Sequence, residues 1–320
     1  MAFSLGTMTA YIEENKAELI TKAILGSKTM GLVDVRTGIK SSERIPVLES
    51  TTPWQAGTSC GFSTSGTTTI NQITLSTTPI QVMEQVCLND LEQYFTQKWL
   101  PAGANNDSTS LAAAIVDRKM AQIANQVERA VWQGKTTYTN DTVLKAINGL
   151  ISTIDTAGTA VAATQQASIS TSTVRGIFED IYTKIPAAAA WNEEVVAFCG
   201  MDTFKTLLVK LTTDNLYHYT TDSSANRWEI VYPGTNMKIV ALPGLNNDNS
   251  VETGALPTAV KNRIFATYKS NLLVGTDLTS DMDNLKVWYS EDDDVLKFRT
   301  RFRLGVQVKF ADHIVQYTNS

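Results

Sequence analysis

The chain has 320 residues, of which 43% are apolar, enough for a sizeable core and for two domains or one domain with long insertions. Charged residues make up only 18%, below the roughly 25% that is usual in soluble domains. The net charge of -5 gives no electrostatic reason for tight binding to nucleic acid, since affinity for phosphate comes from Lys and Arg. A polar but weakly charged surface favours a protein that covers much of itself with neighbouring molecules.

The sequence lacks the signals of secreted and membrane proteins. No run of about 18 or more apolar residues occurs, and the first six residues do not resemble a signal peptide, so we expect the chain to remain in the cytoplasm where it is made. Three widely spaced cysteines, Cys60, Cys87 and Cys199, predict free thiols and not a disulfide or a metal site.

The first predicted element is a helix that is capped by Thr9 and ends near Gly26. Ile12, Leu19 and Ile20 belong to its loose apolar stripe, and glutamates in its early turns suit the helix dipole. Because this helix stands far in sequence from the next compact segment, we expect it to be an arm that packs on another subunit.

Gly, Ser and Thr dominate the chain from about 32 to 78. Alternating segments around Arg44 and Ile73 flank a Gly-rich middle that holds Trp54 and Phe62, and this pattern predicts an extended β-hairpin. A two-stranded ribbon is marginally stable alone in water, so we expect it to lie on another protein surface. Trp54 and Phe62 predict either local packing within the loop or, as we favour, contacts between subunits.

The strongest helical pattern runs from Asp107 to Gly134, where apolar residues recur at helical spacing and Gly134 stands where a left-handed cap belongs. It predicts a helix of about seven turns, preceded by a shorter helix around 90–99. After Gly149, helices alternate with strands, which is typical of a mixed α/β domain. The predicted elements there are helices at 174–185 and 201–211 and strands at 195–199, 237–242 and 264–268.

The C-terminal region contains a charged strand between 295 and 304. Lys297, Arg299, Arg301 and Arg303 occupy alternate positions, so the period of two places these cations on one face and the apolar residues on the other. Like charges repel and arginine favours carboxylates, so the expected partners are carboxylates of another subunit or of this subunit's own helix, with DNA phosphate as the least favoured. The alternative is a solvent-facing strand of a half-buried sheet.

Catalytic motifs are missing from the sequence. His218 and His313 have no Cys, Glu or second His at ligand spacing, and no nucleotide-binding, metalloprotease or hydrolase motif occurs. The acidic run 291–294 lacks the spacing of a calcium loop and predicts a solvated turn in preference to a cation site. The sequence therefore predicts no catalytic residue, cofactor or metal, although enzymes that use only lysine or carboxylate chemistry escape such a scan.

The order of arm helix, long hairpin, long helix, α/β domain and returning strands resembles the major capsid proteins of tailed bacteriophages, which share the Hong Kong 97 shell fold. Residues 43–57 are similar to the start of that family's extended loop, 73–92 to its return, 107–134 to its spine helix and 298–308 to its closing strands. The resemblance implies an α+β fold with these parts: an N-terminal arm (1–31), an extended loop (32–78), a peripheral domain (79–149) with a spine helix (108–133), an axial domain (150–280) and returning strands of the peripheral domain (281–320).

The resemblance further implies a structural protein, not an enzyme, that self-assembles into an icosahedral shell of pentamers and hexamers enclosing double-stranded DNA. It implies assembly in the host bacterial cytoplasm, residence in the virion, separate scaffolding, portal and cement proteins, weak non-specific contact with packaged DNA, and no membrane or cofactor. Some family members cross-link a loop lysine to an asparagine. No lysine occurs between Ser41 and Leu75, so a non-covalent shell is expected.

Ten residues are expected to contact other subunits: Ile12, Leu19, Ile20, Arg44, Trp54, Phe62, Lys297, Arg299, Arg301 and Arg303. Two other functions remain open. An encapsulin-like nanocompartment shares the fold and would enclose protein cargo, so the nucleic acid content of the particles would separate it from a capsid. A soluble α/β enzyme that uses a carboxylate or a lysine would form only a small oligomer.

Overall fold

The structure is a computed structural model of the chain, and it describes residues 15, 18–22, 24–54, 66–87, 108–139, 141–192, 194–214, 228–246, 261–277, 285–290, 292–293 and 295–319. The strands within this part form three sheets. They are β1 (Asp34–Thr37), β2 (Ser42–Thr51), β3 (Thr67–Ser76), β4 (Thr78–Cys87), β5 (Val161–Ala162), β6 (Val195–Cys199), β7 (Glu229–Val231), β8 (Lys238–Ala241), β9 (Ile264–Tyr268), β10 (Leu272–Thr276), β11 (Lys286–Ser290), β12 (Val295–Val308) and β13 (Val315–Tyr317).

The helices pack on these sheets. They are α1 (Ser108–Gln133), α2 (Leu150–Ala157), α3 (Val174–Thr183), α4 (Ala187–Asn192) and α5 (Met201–Thr213), and residues 18–22, 24 and 25 are also helical. The 26-residue helix α1 confirms the long helix expected from the sequence. Val116, Met120, Ile123 and Val127, at helical spacing, are all buried, so the apolar stripe of the sequence is the face that packs on the core.

The five-stranded sheet is built around β12. Strand β4 runs antiparallel along one edge of β12, while β11 and β10 pair antiparallel with successive parts of its other edge. Strand β1 adds to β10 in parallel. Phe298 and Phe302 of β12 belong to the same buried cluster as Val116 and Met120 of α1, so the long helix covers the apolar face of this sheet.

The six-stranded sheet has the order β5-β13-β9-β6-β8-β7. Strands β6 and β9 are buried at every position, because the sheet is covered on both faces. Phe198 and Phe265 pack into the cluster that contains α1, and the alternate residues Ala197 and Ala266 pack into a second cluster. That second cluster contains Phe178 of α3. Continuous apolar strands are typical of a sheet covered on both faces.

Trp132, at the C-terminal end of α1, packs the long helix on the six-stranded sheet. Its ring lies 5.4 Å from that of Phe198 and 5.8 Å from that of Phe265, measured between centroids. Its Nε1 donates a hydrogen bond of 2.8 Å to Thr29 Oγ1, and the Thr29 amide donates to the buried Glu128 carboxylate at 3.0 Å. Hydrogen bonds therefore join the segment after the N-terminal helix to the long helix, and ring packing joins the long helix to the six-stranded sheet.

The long helix ends differently from the sequence-based expectation. Gly134 was expected to adopt a left-handed cap, but the glycines with positive φ are Gly38, Gly158 and Gly234 among the described residues. A Cβ on Gly134 would lie 2.5 Å from the Ala130 carbonyl oxygen and would meet the backbone of the following loop. The glycine is required there by close backbone approach and not by its conformation.

Sheet pairing crosses the domain boundaries that the family resemblance implied. Strand β10 (272–276) lies in the five-stranded sheet, although the axial domain was expected to extend to 280, and β13 (315–317) lies in the six-stranded sheet, although 281–320 was assigned to the peripheral domain. Strand β4 was not expected at all. The helix expected around 90–99 lies outside the described residues.

Candidate assembly surface

The N-terminal helical segment packs on its own chain. Leu19 and Ile20 are 3% and 2% exposed, and both belong to the main core cluster together with Ile24. These side chains have almost no surface left for a second molecule. We therefore correct the expectation that Leu19 and Ile20 contact another subunit, and with it the expectation that this helix depends on a neighbour. Ile12 lies outside the described residues.

The extended hairpin is confirmed, with β2 and β3 paired antiparallel from Ser42 opposite Ser76 to Thr51 opposite Thr67. Its root is fixed to the body. Leu75 is completely buried and clusters with Ile39, Ile45 and Leu273. The Thr77 amide donates to the Ser41 carbonyl oxygen at 2.8 Å.

The hairpin root also depends on the absence of a side chain at Gly305 of β12. A Cβ at this position would lie 2.0 Å from the Ser76 carbonyl oxygen. The hairpin backbone therefore passes directly over β12, and only glycine leaves room for it.

The outer half of the hairpin exposes apolar side chains. Leu48 and Ile70 face each other across the two strands and are 65% and 68% exposed. Trp54 is 99% exposed, so it does not pack locally against its own chain, and Phe62 lies outside the described residues. Arg44 is exposed on the same face of the hairpin as Leu48. From residue 50 to residue 83 the sequence contains no charged side chain.

The alternation along β12 is confirmed. Leu296, Phe298, Thr300, Phe302 and Leu304 are buried, whereas the four cations between them are exposed or partly exposed. The register places neighbouring side chains on the same outer face: Gln85 and Trp288 beside Lys297, Met83 and Lys286 beside Arg299, and Gln81 beside Arg301. We call this surface, formed by β4, β12 and β11 on the side away from α1, the cationic face.

One cation of the cationic face is paired within its own hairpin. Lys297 Nζ contacts the Asp293 carboxylate and donates a hydrogen bond of 3.2 Å to Ser290 Oγ. The hydrogen bond from Lys297 holds the pKa of the Asp293 carboxyl below its ordinary value, with Ser290 acting in the same direction. Asp293, in the turn between β11 and β12, thus balances the positive charge of Lys297, which is the cation of β12 nearest to that turn.

The remaining cations are crowded. Lys286 and Arg299 lie directly opposite each other on β11 and β12, a like-charge arrangement that destabilises an isolated sheet. The Arg299 guanidinium lies over the Trp288 ring at 5.6 Å, and its buried Nε has no hydrogen-bond partner among the described residues. Arg301 is exposed.

The long helix does not supply the carboxylates expected for this strand. Its Lys119 contacts Glu84 of β4, and the Lys119 ammonium lies 5.7 Å from the centre of the Phe298 ring, on the buried side of the sheet. The described part of this helix therefore covers the face of the sheet opposite the cations.

Several surface residues escaped the sequence analysis. Met83 is 63% exposed and Trp288 is 40% exposed on the cationic face, and Leu48 and Ile70 form the exposed pair of the hairpin. The alternation in the sequence placed Leu48 and Ile70 on strands. Which side of the hairpin they occupy depends on how the hairpin root packs on the rest of the chain. Met83 belongs to β4, which the sequence analysis did not identify as a strand.

His313 and Cys199, whose side chains could act in catalysis, have structural roles in this fold. His313 Nδ1 is hydrogen-bonded to the Tyr268 hydroxyl at 2.9 Å. Cys199 is fully buried, and burial raises the pKa of its thiol far above the ordinary value, so it is not a nucleophile. Within the described residues no three His, Cys, Asp or Glu side chains are grouped to hold a metal ion. No helix of this part of the chain is both long and apolar enough to cross a membrane.

The sequence matches no family model and no curated protein, whereas the fold matches solved structures over almost its whole length. The capsid of an empty GTA particle, computed with C5 symmetry, is 12% identical and covers 93% of this chain and 90% of its own, with a TM-score of 0.55. The satellite phage P4 procapsid including size determination (Sid) protein is 11% identical, covering 94% and 98%, with a TM-score of 0.56.

A third similar structure is that of Microbacterium phage Oxtober96, with 16% identity, coverage of 92% of this chain and 91% of that chain, and a TM-score of 0.53. The chain therefore has the α+β fold of tailed-phage capsid proteins, the Hong Kong 97 shell fold, as the resemblance in its sequence implied. At this level of identity the likeness establishes the fold.

Proposed function

We propose that this protein is the major capsid protein of a tailed bacteriophage, a structural protein and not an enzyme. The observation that carries the proposal is the match of the fold to capsid chains over nine tenths or more of both partners. The shell would consist of pentamers and hexamers of this chain, enclose double-stranded DNA, assemble in the host cytoplasm and remain in the virion.

The exposed surfaces support repeated contacts between copies. The outer half of the hairpin presents Leu48, Ile70 and Trp54 to solvent, although the hairpin root is rigidly held. Apolar surface that is exposed on a fixed element is typical of a protein interface. Arg44, Trp54 and Phe62 of the hairpin and the cations of β12 are the proposed inter-subunit contacts. Many weak contacts per subunit give a durable shell.

The proposed domains follow the two large sheets. The six-stranded sheet with α3 and α5 would form the axial domain at the centre of each ring, and the five-stranded sheet with α1 would form the peripheral domain. The similar P4 procapsid includes a separate Sid protein. We propose that scaffolding, portal and cement functions are supplied by separate proteins and that DNA is contacted weakly.

Electron microscopy and sedimentation of the overexpressed protein test the proposal. The expected result is closed particles built from pentamers and hexamers, and particles recovered from infected or induced cells should contain nuclease-protected DNA. Closed particles that hold protein cargo and no nucleic acid would favour the nanocompartment. A dimer or tetramer that forms no particle under any assembly condition would refute the shell and favour the enzyme.

A further inference from the structure

A small cavity opens on the cationic face, where β4, β12 and β11 lie side by side. Its volume is about 280 Å³, and its lining includes Met83, Gln85, Trp288, Lys297 and Arg299. The register of the three strands places these five side chains on the same face of the sheet. Pockets that hold small molecules begin at about 300 Å³. This cavity therefore has the size for one large side chain.

The lining has the chemistry of a site for an aromatic side chain. Met83 and Trp288 are exposed and supply apolar walls, and methionine sulfur packs well against aromatic rings. The Arg299 guanidinium lies 5.6 Å from the centre of the Trp288 ring. Because the faces of aromatic rings attract cations, a second ring beside Arg299 would be held in the same way.

A carboxylate suits the cavity less well than a ring does. It would lose its water against the apolar walls of Met83 and Trp288, which costs free energy. Lys297, the lining cation nearest to the acidic turn, is already paired with Asp293. The buried Nε of Arg299 has no hydrogen-bond partner among the described residues, so this donor is available to an acceptor on an incoming backbone.

The hairpin carries an aromatic side chain that has no site on its own chain. Among the described residues Trp54 is the most exposed large apolar side chain, at 99%. It follows strand β2, whose ten residues span about 33 Å at roughly 3.3 Å per residue. An indole this exposed does not occupy the cavity of its own chain. Any protein surface that covers it therefore belongs to another molecule.

The charge of the hairpin allows it to approach the cationic face. From residue 50 to residue 83 the sequence contains no charged side chain, and the charged residue nearest to Trp54 in sequence, Glu49, is negative. The chain around Trp54 thus meets the crowded cations Lys286 and Arg299 without like-charge repulsion.

We propose that Trp54 of one copy inserts between Met83 and Trp288 of a second copy, an inference that rests on the proposed shell function. The indole ring packs on both side chains and on the Arg299 guanidinium, and its N–H donates to the side-chain carbonyl oxygen of Gln85. This contact joins two different surfaces of the chain, so each copy gives one hairpin and receives another. Head-to-tail contacts of this kind close into rings.

Alanine substitutions on the two sides test the contact. Trp54→Ala and Trp288→Ala should each lower the particle yield about tenfold, because large aromatic anchors carry much of the affinity of an interface. The double variant should be no worse than the single variants, since both remove the same contact. Trp191→Ala removes an exposed indole from another part of the surface and is the matched control, which should keep the wild-type yield. Thermal unfolding of the unassembled variants identifies any loss that comes from misfolding.

Thiol cross-linking locates the contact directly. The background carries Cys60→Ser and Cys87→Ser, while Cys199 is fully buried and does not react. Mixtures of Trp54→Cys and Met83→Cys copies, treated with a short bismaleimide, should give linked peptides that contain one residue of each kind. Mixtures of Trp54→Cys and Trp191→Cys copies are the control and should give few such links.

Four results would overturn the inference. Wild-type yields from both alanine variants would show that the cavity is not a contact. Losses that add in the double variant would show that Trp54 and Trp288 contact different partners. A loss with Glu49→Gln and none with Trp54→Ala would show that the hairpin binds through its carboxylate. Normal particles of Trp288→Ala that contain less DNA would assign the cavity to a nucleobase.

The inference and the proposed function can fail separately. Wild-type particles without the link between positions 54 and 83 contradict the inference and leave the shell in place. A wild-type chain that forms no particle refutes the shell, and cross-linking within the oligomers that it does form then tests the contact. A chain that stays monomeric and gives no link contradicts both.

Discussion

The six-stranded sheet and the extended hairpin use apolar residues in opposite ways. Strands β6 and β9 are buried at every position, so the sheet satisfies its hydrophobic surface within one chain. The hairpin buries its root at Leu75 and Ile45 but exposes Leu48, Ile70 and Trp54 in its outer half. A single chain therefore contains a sheet whose apolar residues are buried within that chain and a hairpin whose outer half exposes apolar side chains to solvent.

Because of this difference, we expect folding and assembly to depend on different residues. Substitutions in the six-stranded sheet should change the free energy of unfolding, because the lost contacts lie within the chain. Substitutions in the outer hairpin should leave unfolding unchanged and alter the association of copies. Variants in each region therefore test whether folding and assembly depend on different residues.

The largest expected effect comes from Trp132, which is completely buried against Phe198 and Phe265. Trp132→Ala should lower the free energy of unfolding by about 3–5 kcal/mol, since it leaves a cavity and removes the hydrogen bond to Thr29. Trp191, which is 92% exposed, provides the matched control. Trp191→Ala should change the free energy of unfolding by less than about 0.5 kcal/mol. Denaturant titration of unassembled protein checks both, and equal effects would contradict the assignment of the core.

A smaller effect is expected where the two regions meet, at Gly305. Gly305→Ala should cost about 1–3 kcal/mol, because the new methyl group collides with the Ser76 carbonyl oxygen at the hairpin root. Gly176 of α3 is exposed and has open space around it, so Gly176→Ala should stabilise the protein by roughly 0.5–1 kcal/mol. Thermal unfolding should show these opposite signs, and a neutral Gly305→Ala would mean that the root is not tightly packed.

Substitutions in the outer half of the hairpin should change assembly and leave the stability of the folded chain unchanged. Replacing both Leu48 and Ile70 by Thr keeps strand-forming residues but removes exposed apolar surface, so the unfolding midpoint should stay constant and the particle yield should fall about tenfold. Gln72→Thr, on the same face of the hairpin, removes no apolar surface and should assemble normally. Sedimentation measures the yields, and normal assembly of the double variant would show that this pair is not an interface.

The smallest effect concerns a surface ion pair on the helices that cover the six-stranded sheet. Asp214 accepts hydrogen bonds from Lys210 at 2.8 Å and from Arg175 at 3.2 Å, and the Lys210 hydrogen bond is the main cause that holds the pKa of the Asp214 carboxyl below its ordinary value. A depressed folded-state pKa stabilises the protein above the ordinary Asp pKa, and this stabilisation disappears as the pH falls through the lowered folded-state value.

Thermal unfolding of Asp214→Asn against pH checks this sign. The variant should be slightly less stable than the wild type at pH 7, and the difference should shrink as the pH falls below about 4. A difference that stays constant over this range would show that the carboxylate charge is not involved.

The sequence predicted elements whose pattern is local. The alternation from Lys297 to Arg303 identified both faces of β12, and the sequence identified the strands at 195–199 and 264–268 with their bounds, because period and composition are properties of short segments. The helical spacing before Gly134 likewise identified α1. The hairpin was recognised from two alternating segments around a Gly-rich middle.

Features that depend on distant contacts were not predicted. The burial of Leu19 and Ile20 depends on a core that includes residues of the long helix and of both large sheets, and an amphipathic helix has the same sequence pattern whether it packs on its own chain or on a neighbour. Strand β4 mixes Gln, Met and Pro and lacks clear alternation, so its pairing with β12 determined its structure. The role of Gly134 depends on the backbone of a later loop, which a local cap rule does not include.

The central claim is that copies of this chain cover the outer hairpin when they assemble. A cryo-electron microscopy map of the assembled protein measures this directly, through the solvent exposure of Leu48, Ile70 and Trp54 in the particle. The account predicts a closed shell in which a neighbouring copy buries all three side chains. A particle in which they remain as exposed as in the isolated chain, or a protein that yields only small oligomers, would contradict it.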